Sequence, residues 1–265
     1  WFLASTAIVI FWKWNPLPVW QKALFTFGYF PFWEYFLICR HYVLAELFTF
    51  IFCSTYQLRR KTYLPSAICI GLLTNTHAFA WAIAVAIFAT LILEWTFSSY
   101  QRKTYKKNTF WALDLLISCF IALALVSFAA FSLMQVKDAA SINLLNFDFR
   151  HLLRVLGRIF GGYLLIVPNY RNWLDLSICA VISGLMLYIT IKFLRRSRAS
   201  LIFFLFGIGS LFLFNYYIYL GIGSRHYGYY FLILIASVWL SIHPSENDSK
   251  SIVDNLSLKK TNINF

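Results

Sequence analysis

Long apolar runs separated by short polar interruptions occupy almost the whole chain, at about 1–12, 18–36, 42–58, 63–75, 77–96, 110–134, 173–193, 200–220 and 227–242. Several approach or exceed the roughly 20 apolar residues a helix needs to cross the hydrocarbon layer. The runs are continuously apolar and lack the period-two alternation of a porin-like barrel. In hydrocarbon every backbone amide needs an internal partner, which a helix supplies within itself. The pattern predicts an all-α, polytopic transmembrane helical bundle with about nine membrane segments. The first is partial and the fourth is short. Thr74-Asn75-Thr76-His77 marks either a boundary between two helices or a bend in one.

One stretch has a different rhythm. Over 143–159, Arg150, Arg154 and Arg158 recur every four residues, with His151, Val155 and several leucines between them. A basic stripe beside an apolar one predicts a helix lying in the membrane interface, with the three arginines facing lipid headgroups. A lipid-phosphate substrate would be attracted by the same stripe.

Composition narrows the class further. Of 265 residues, 60% are hydrophobic, 20% aromatic and 12% charged, too few polar groups to cover a soluble domain of this size. The formal charge of +13 falls in short clusters beside apolar runs, at Arg59-Arg60-Lys61, Arg102-Lys103 with Lys106-Lys107, and Arg195-Arg196 with Arg198. That is the distribution of cytoplasmic loops and not the continuous basic face of a nucleic-acid-binding fold, so no nucleic acid partner is expected. Residues 1–242 are read as one transmembrane domain, and 243–265, rich in Ser, Asn, Asp and Lys, as a disordered cytoplasmic tail. The five cysteines show no metal-ligand or CxxC spacing. The chain opens on Trp1 inside an apolar run without a basic start, and the expectation is that earlier spans precede it.

With the basic loops inside, the remaining polar stretches fall outside: 34–41, 74–77, 135–172 and 224–226. Candidate binding residues there are Glu34, Arg40, His41, His77, Arg225 and His226. Arg40 at a helix mouth is suited to grip a phosphate in a bidentate fork, with Glu34 orienting it or handling a proton; an interfacial anchor is the competing reading. Ser224-Arg225-His226-Tyr227-Gly228, near Gly221 and Gly223, fits an anion site at a helix start and equally a flexible turn. His77 is read either as a ligand contact or as a packing residue. Glu46, one turn below Tyr42 inside a span, is expected to face the bundle interior and to pair there.

Trp33-Glu34-Tyr35 followed by Arg40-His41-Tyr42, together with the late Ser224-Arg225-His226-Tyr227-Gly228 before an apolar run ending in Trp239, resembles the pattern of bacterial multi-spanning proteins of the GT-C glycosyltransferase superfamily. The resemblance covers most of the chain in topology and about 15 residues in motif. It implies a bacterial inner-membrane protein that transfers a sugar from a polyprenyl-phosphate carrier to an acceptor on the extracytoplasmic face. It also implies that Arg40 and Arg225 contact the lipid phosphate, and that a catalytic acid sits in an external loop ahead of Trp1. A divalent metal is compatible with this chemistry, although no external carboxylate pair stands ready to hold one, and no metal ligand is assigned. A secondary transporter of an anionic or amphipathic solute is the rival, expected to show broken helices and an internal repeat. A membrane scaffold without chemistry is the third reading. No GxGxxG, P-loop, HExxH or nucleophile elbow is present.

Overall fold

The structure, a computed structural model, describes residues 1–38, 42–97, 99–106, 109–134, 148–164, 169, 171–217 and 224–242. Every regular element among these residues is helical. In chain order they are α1 (Phe2–Trp14), α2 (Val19–Thr26), a π-helix (Tyr29–Leu37), α3 (Tyr42–Thr55), a 3-10 turn (Tyr56–Arg60), α4 (Leu64–Thr74), α5 (Ala80–Phe97), α6 (Ser99–Lys106), α7 (Trp111–Met134), α8 (Phe149–Leu164), α9 (Trp173–Leu194), α10 (Arg198–Tyr217), a second 3-10 turn (Ser224–Tyr227) and α11 (Gly228–Ile242). Arg40, His41, residues 135–147 and the 243–265 tail lie outside the described residues.

Four helices among the described residues are long and apolar enough to cross a membrane: α5 with 18 residues, α7 over Trp111–Ser132, α9 with 22 and α10 with 20. The outer surface of α7 suits that environment. Leu116, Phe120, Leu123, Phe128 and Phe131 are all more than 60% exposed, a continuous apolar strip that water would penalise and lipid would not. Three further apolar helices are shorter, α1, α4 and α11.

The apolar run at 18–36 is not one helix. It breaks at Phe27-Gly28, where Gly28 turns extended with ψ 160°. Pro31 lies in the first turn of the π-helix that follows, where its missing N–H leaves no intrahelical bond unmade. The run at 42–58 leaves α-geometry at Thr55 and tightens into the 3-10 turn. The basic loop at 97–109 contains a helix that hydropathy did not predict, α6, anchored by the fully buried ring of Tyr105.

Packing pairs α5 with α10, α4 with α7, α1 with α3, and α8 with α9. Aromatic rings fill the junction of α1, α2, α3 and α11: Phe11 lies 4.4 Å from Phe25, 5.1 Å from Phe50 and 5.9 Å from Trp239. Gly71 is where α4 meets α7 most closely, since a side chain there would collide with Leu125. Asn75 then fastens the pair, its amide donating to the carbonyls of Gly71 at 2.8 Å and Leu125 at 3.0 Å.

The 143–159 expectation becomes α8, whose start is set by Asp148. Its carboxylate accepts from the Arg150 N–H at 2.9 Å, an N-cap interaction. The lipid-facing assignment of its three arginines needs correcting at one position. Arg150 and Arg154 are half-buried, but Arg158 is 1% exposed and packs inward. A spacing of four overshoots a 3.6-residue turn by about 40° each time. By its third member the stripe has therefore rotated onto the face of His151 and Val155, both buried against the bundle.

Candidate functional site

The π-helix determines the local chemistry around Glu34. Its i→i+5 hydrogen bonding, seen in the Ile38 N–H to Trp33 carbonyl bond at 3.1 Å, brings residues five apart together. Tyr29 and Glu34 have that spacing, and the Tyr29 hydroxyl donates to Glu34 Oε1 at 2.8 Å. Phe30 and Tyr35 share it, with ring centroids 6.4 Å apart. Glu34 is 7% exposed and Tyr35 is buried, and Tyr35 lies within electrostatic reach of Tyr229, Glu46, Tyr42 and Glu34.

Tyr42, first residue of α3, stands at the centre of a ring cluster drawn from four stretches of chain. Its ring is 5.1 Å from His77, 5.8 Å from His226, 6.0 Å from Tyr229 and 6.0 Å from Tyr35. His77 and His226 lie nearly parallel with centroids 5.6 Å apart, and Phe79 is stacked 4.5 Å from His226. The short link between α4 and α5 positions His77: its Nδ1 accepts from the Phe79 N–H at 3.2 Å, leaving Nε2 to carry the proton of the neutral ring. The 3-10 turn before α11 positions His226, which is 6% exposed.

Sequence reasoning singled out Glu34, His77 and His226, and the structure gathers them around Tyr42 and Tyr35. Arg40 and His41 are outside the described residues, as is the side chain of Arg225, whose backbone belongs to the 3-10 turn. Glu46 faces inward at 3% exposure; its Oε1 is buried with no hydrogen-bond partner among the described residues. The expected pairing of Glu46 is thus not made through that atom.

A second polar chain borders the first. Arg158 Nη1 donates to Asn215 Oδ1 at 3.0 Å, Asn215 Nδ2 donates to the Tyr230 hydroxyl at 3.1 Å, and the Arg158 guanidinium lies 5.6 Å from the Tyr227 ring. Two turns earlier on the same face, His151 Nε2 meets the Tyr216 carbonyl at 3.2 Å. Burial holds the His151 imidazole below its usual range, and the charges of Arg158 and Arg154 act in the same direction. Asn215 and Tyr230 had no sequence signal, because each is one of several polar residues scattered along an apolar helix. Arg158 was visible as a cation, but its burial was not.

Chemically, the cluster offers a buried carboxylate, two imidazoles and several phenols at one end of the bundle. Among the described residues, no three His, Cys, Asp or Glu side chains come together as a metal site. Comparison with protein-family models, curated proteins and solved structures finds no match.

Proposed function

We propose that this chain is the membrane-embedded part of a transferase that moves a sugar from a polyprenyl-phosphate carrier to an acceptor at the extracytoplasmic face. In this reading the bundle has about nine membrane segments, with α8 lying in the interface. The observation that carries it is the convergence of Tyr42, His77 and His226. In the sequence Arg40 precedes Tyr42 by two positions and Arg225 precedes His226 by one, so each is tied to a member of that cluster by one or two residues of chain.

The reaction needs little beyond positioning and charge stabilisation. The acceptor hydroxyl attacks the anomeric carbon, the bond to the carrier phosphate breaks, and the phosphate leaves with the electron pair. Arg40 and Arg225 neutralise the leaving phosphate. Glu34, buried and fixed by Tyr29, orients an arginine or takes up the acceptor proton. His77 and His226 flank Tyr42 at the site.

Replacing Arg40 or Arg225 by lysine keeps the charge but removes the planar fork. Loss of one charge-assisted hydrogen bond, about 1.5–3 kcal/mol, lowers turnover by roughly ten- to a hundred-fold. The measurement is sugar transfer by the membrane-inserted protein with expression matched. Full activity in both variants sinks the reading.

A transporter of an anionic or amphipathic solute is favoured by one observation. Glu46 presents a buried carboxylate oxygen without a hydrogen-bond partner among the described residues, near Tyr35 of the π-helix that follows the break at Phe27-Gly28, as in proton- or ion-coupled sites. Uptake into proteoliposomes that is lost in Glu46→Gln, with no sugar transfer by the parent chain, selects this second reading.

A further inference from the structure

A lateral apolar cleft of about 570 Å³ lies among α4, α5 and α7, and the transfer reaction does not use it. Ala67 and Ala84 are buried in its wall, whereas Val85, Phe88 and Leu123 at its rim are 40%, 56% and 67% exposed. The cleft therefore opens sideways, toward the surroundings of the apolar α7 surface. Its α7 lining, from Leu115 to Val126, extends for about 17 Å at the helical rise. That is long and narrow, the shape of a hydrocarbon chain.

One end of the cleft has a distinct chemistry. Tyr63 and Trp95 close it with rings 6.2 Å apart, and Tyr105 of α6 lies against both at 4.8 and 5.7 Å. The 3-10 turn that ends in Arg60 packs against both α4 and α6, Lys61 follows it two residues before Tyr63, and α6 carries Arg102, Lys103 and Lys106. The carboxylates nearby are already engaged. Glu94 accepts from Arg59 at 2.8 and 3.1 Å, and Asp114 accepts from the Thr62 hydroxyl, the Tyr63 N–H and the Tyr105 hydroxyl. Arg60 also has a buried Nε with no hydrogen-bond partner among the described residues.

Hydrocarbon groove, aromatic girdle and cations follow one another in the order in which a phospholipid places its acyl chain, ester region and phosphate. We propose that this cleft binds one anionic phospholipid, with an acyl chain between α4, α5 and α7 and its phosphate on the Arg60–Arg102 basic cluster. The phosphate end of the site, at Tyr63, lies at the opposite end of α4 from His77. It rests on the membrane-embedded reading alone, so failure of the transferase reading leaves it standing.

The test is lipid binding by the full chain, purified in neutral detergent, with retained lipids counted by native mass spectrometry during titration. The probes are phosphatidylglycerol, phosphatidylcholine and inorganic phosphate. The expected result is one phosphatidylglycerol bound about tenfold more tightly than phosphatidylcholine. That preference disappears in the paired variant Arg60→Gln with Arg102→Gln, and binding of both lipids is lost when Ala122→Trp fills the cleft. Helix content by circular dichroism and elution volume check that each variant is folded. The half-buried arginine pair decides the matter if the tryptophan variant is not. Equal binding of the two lipids, or undiminished phosphatidylglycerol binding in the paired variant, overturns the proposal. So does full competition by inorganic phosphate, which assigns the cations to a free anion. A dimer that Ala122→Trp dissolves overturns it in favour of a second copy in the cleft.

Discussion

The hydroxyl of Tyr35 occupies the space that a side chain on Gly228 would need. This contact joins the π-helix to the start of α11, and it puts Tyr35 beside the ring cluster of Tyr42 and Tyr229. Gly228→Ala is expected to force the phenol aside and to cost about 1–3 kcal/mol as overpacking. Gly184→Ala is the control, because nothing lies within 4 Å of its added carbon and alanine favours a helix interior. Thermal unfolding in detergent should fall for the first and hold or rise for the second. Equal melting of both variants would remove Tyr35 from the packing argument.

Arg59 grips Glu94 through two nitrogens, with its guanidinium 3.5 Å from the Tyr56 ring. The two side chains are 9% and 17% exposed, so breaking the pair strands a buried charge. Glu94→Ala is expected to cost about 3 kcal/mol, whereas joint replacement by Arg59→Met and Glu94→Leu should cost far less. Unfolding of the single and double variants checks this. Additive losses would show that the pair is not coupled.

His151 should make stability depend on pH. Burial favours its neutral ring in the folded state, so its folded value lies below the unfolded value of about 6.5. The stability it contributes is complete above the unfolded value and is lost as pH falls through the folded one. Melting temperature should therefore decline as pH falls below about 6.5, and His151→Phe should flatten that decline. An identical profile in the variant would place the pH dependence elsewhere.

Cysteine labelling in a cysteine-free background tests the orientation. Position 104, among the basic residues of the 97–109 loop, is expected to be protected from an external reagent, and position 224 to be reached by it. The opposite pattern would invert the map and put the ring cluster of Tyr42, His77 and His226 on the cytoplasmic side.

Much of the helix inventory is legible because hydropathy reports burial or lipid exposure directly. The runs at 77–96, 110–134, 173–193 and 200–220 reappear as α5, α7, α9 and α10 with small shifts at their ends. The run at 18–36 misled because apolarity does not reveal geometry. Phe27-Gly28 is as hydrophobic in character as its neighbours, and the Tyr29–Glu34 spacing becomes meaningful only once i→i+5 bonding is known. Within the site, Glu34, His77 and His226 were visible as polar residues in apolar surroundings. Tyr35, Phe79 and Tyr229 were not, since aromatic residues occur throughout this chain.

The sequence by itself determined the solvent preference, the helical class and the clustering of charge, because each follows from side-chain chemistry summed over a local window. Tertiary structure alone decided which polar residues meet. Tyr42, His77 and His226 come from segments remote from one another, and their contact depends on which helices pack together. Arg158 makes the same point on one element. Its repeat with Arg150 and Arg154 suggested a lipid-facing stripe, yet the rotation of a helix by about 40° per four residues delivers it to Asn215 in the protein interior. Which side of α8 would be covered was settled by its packing on α9, α10 and α11, a long-range event that no local pattern encodes.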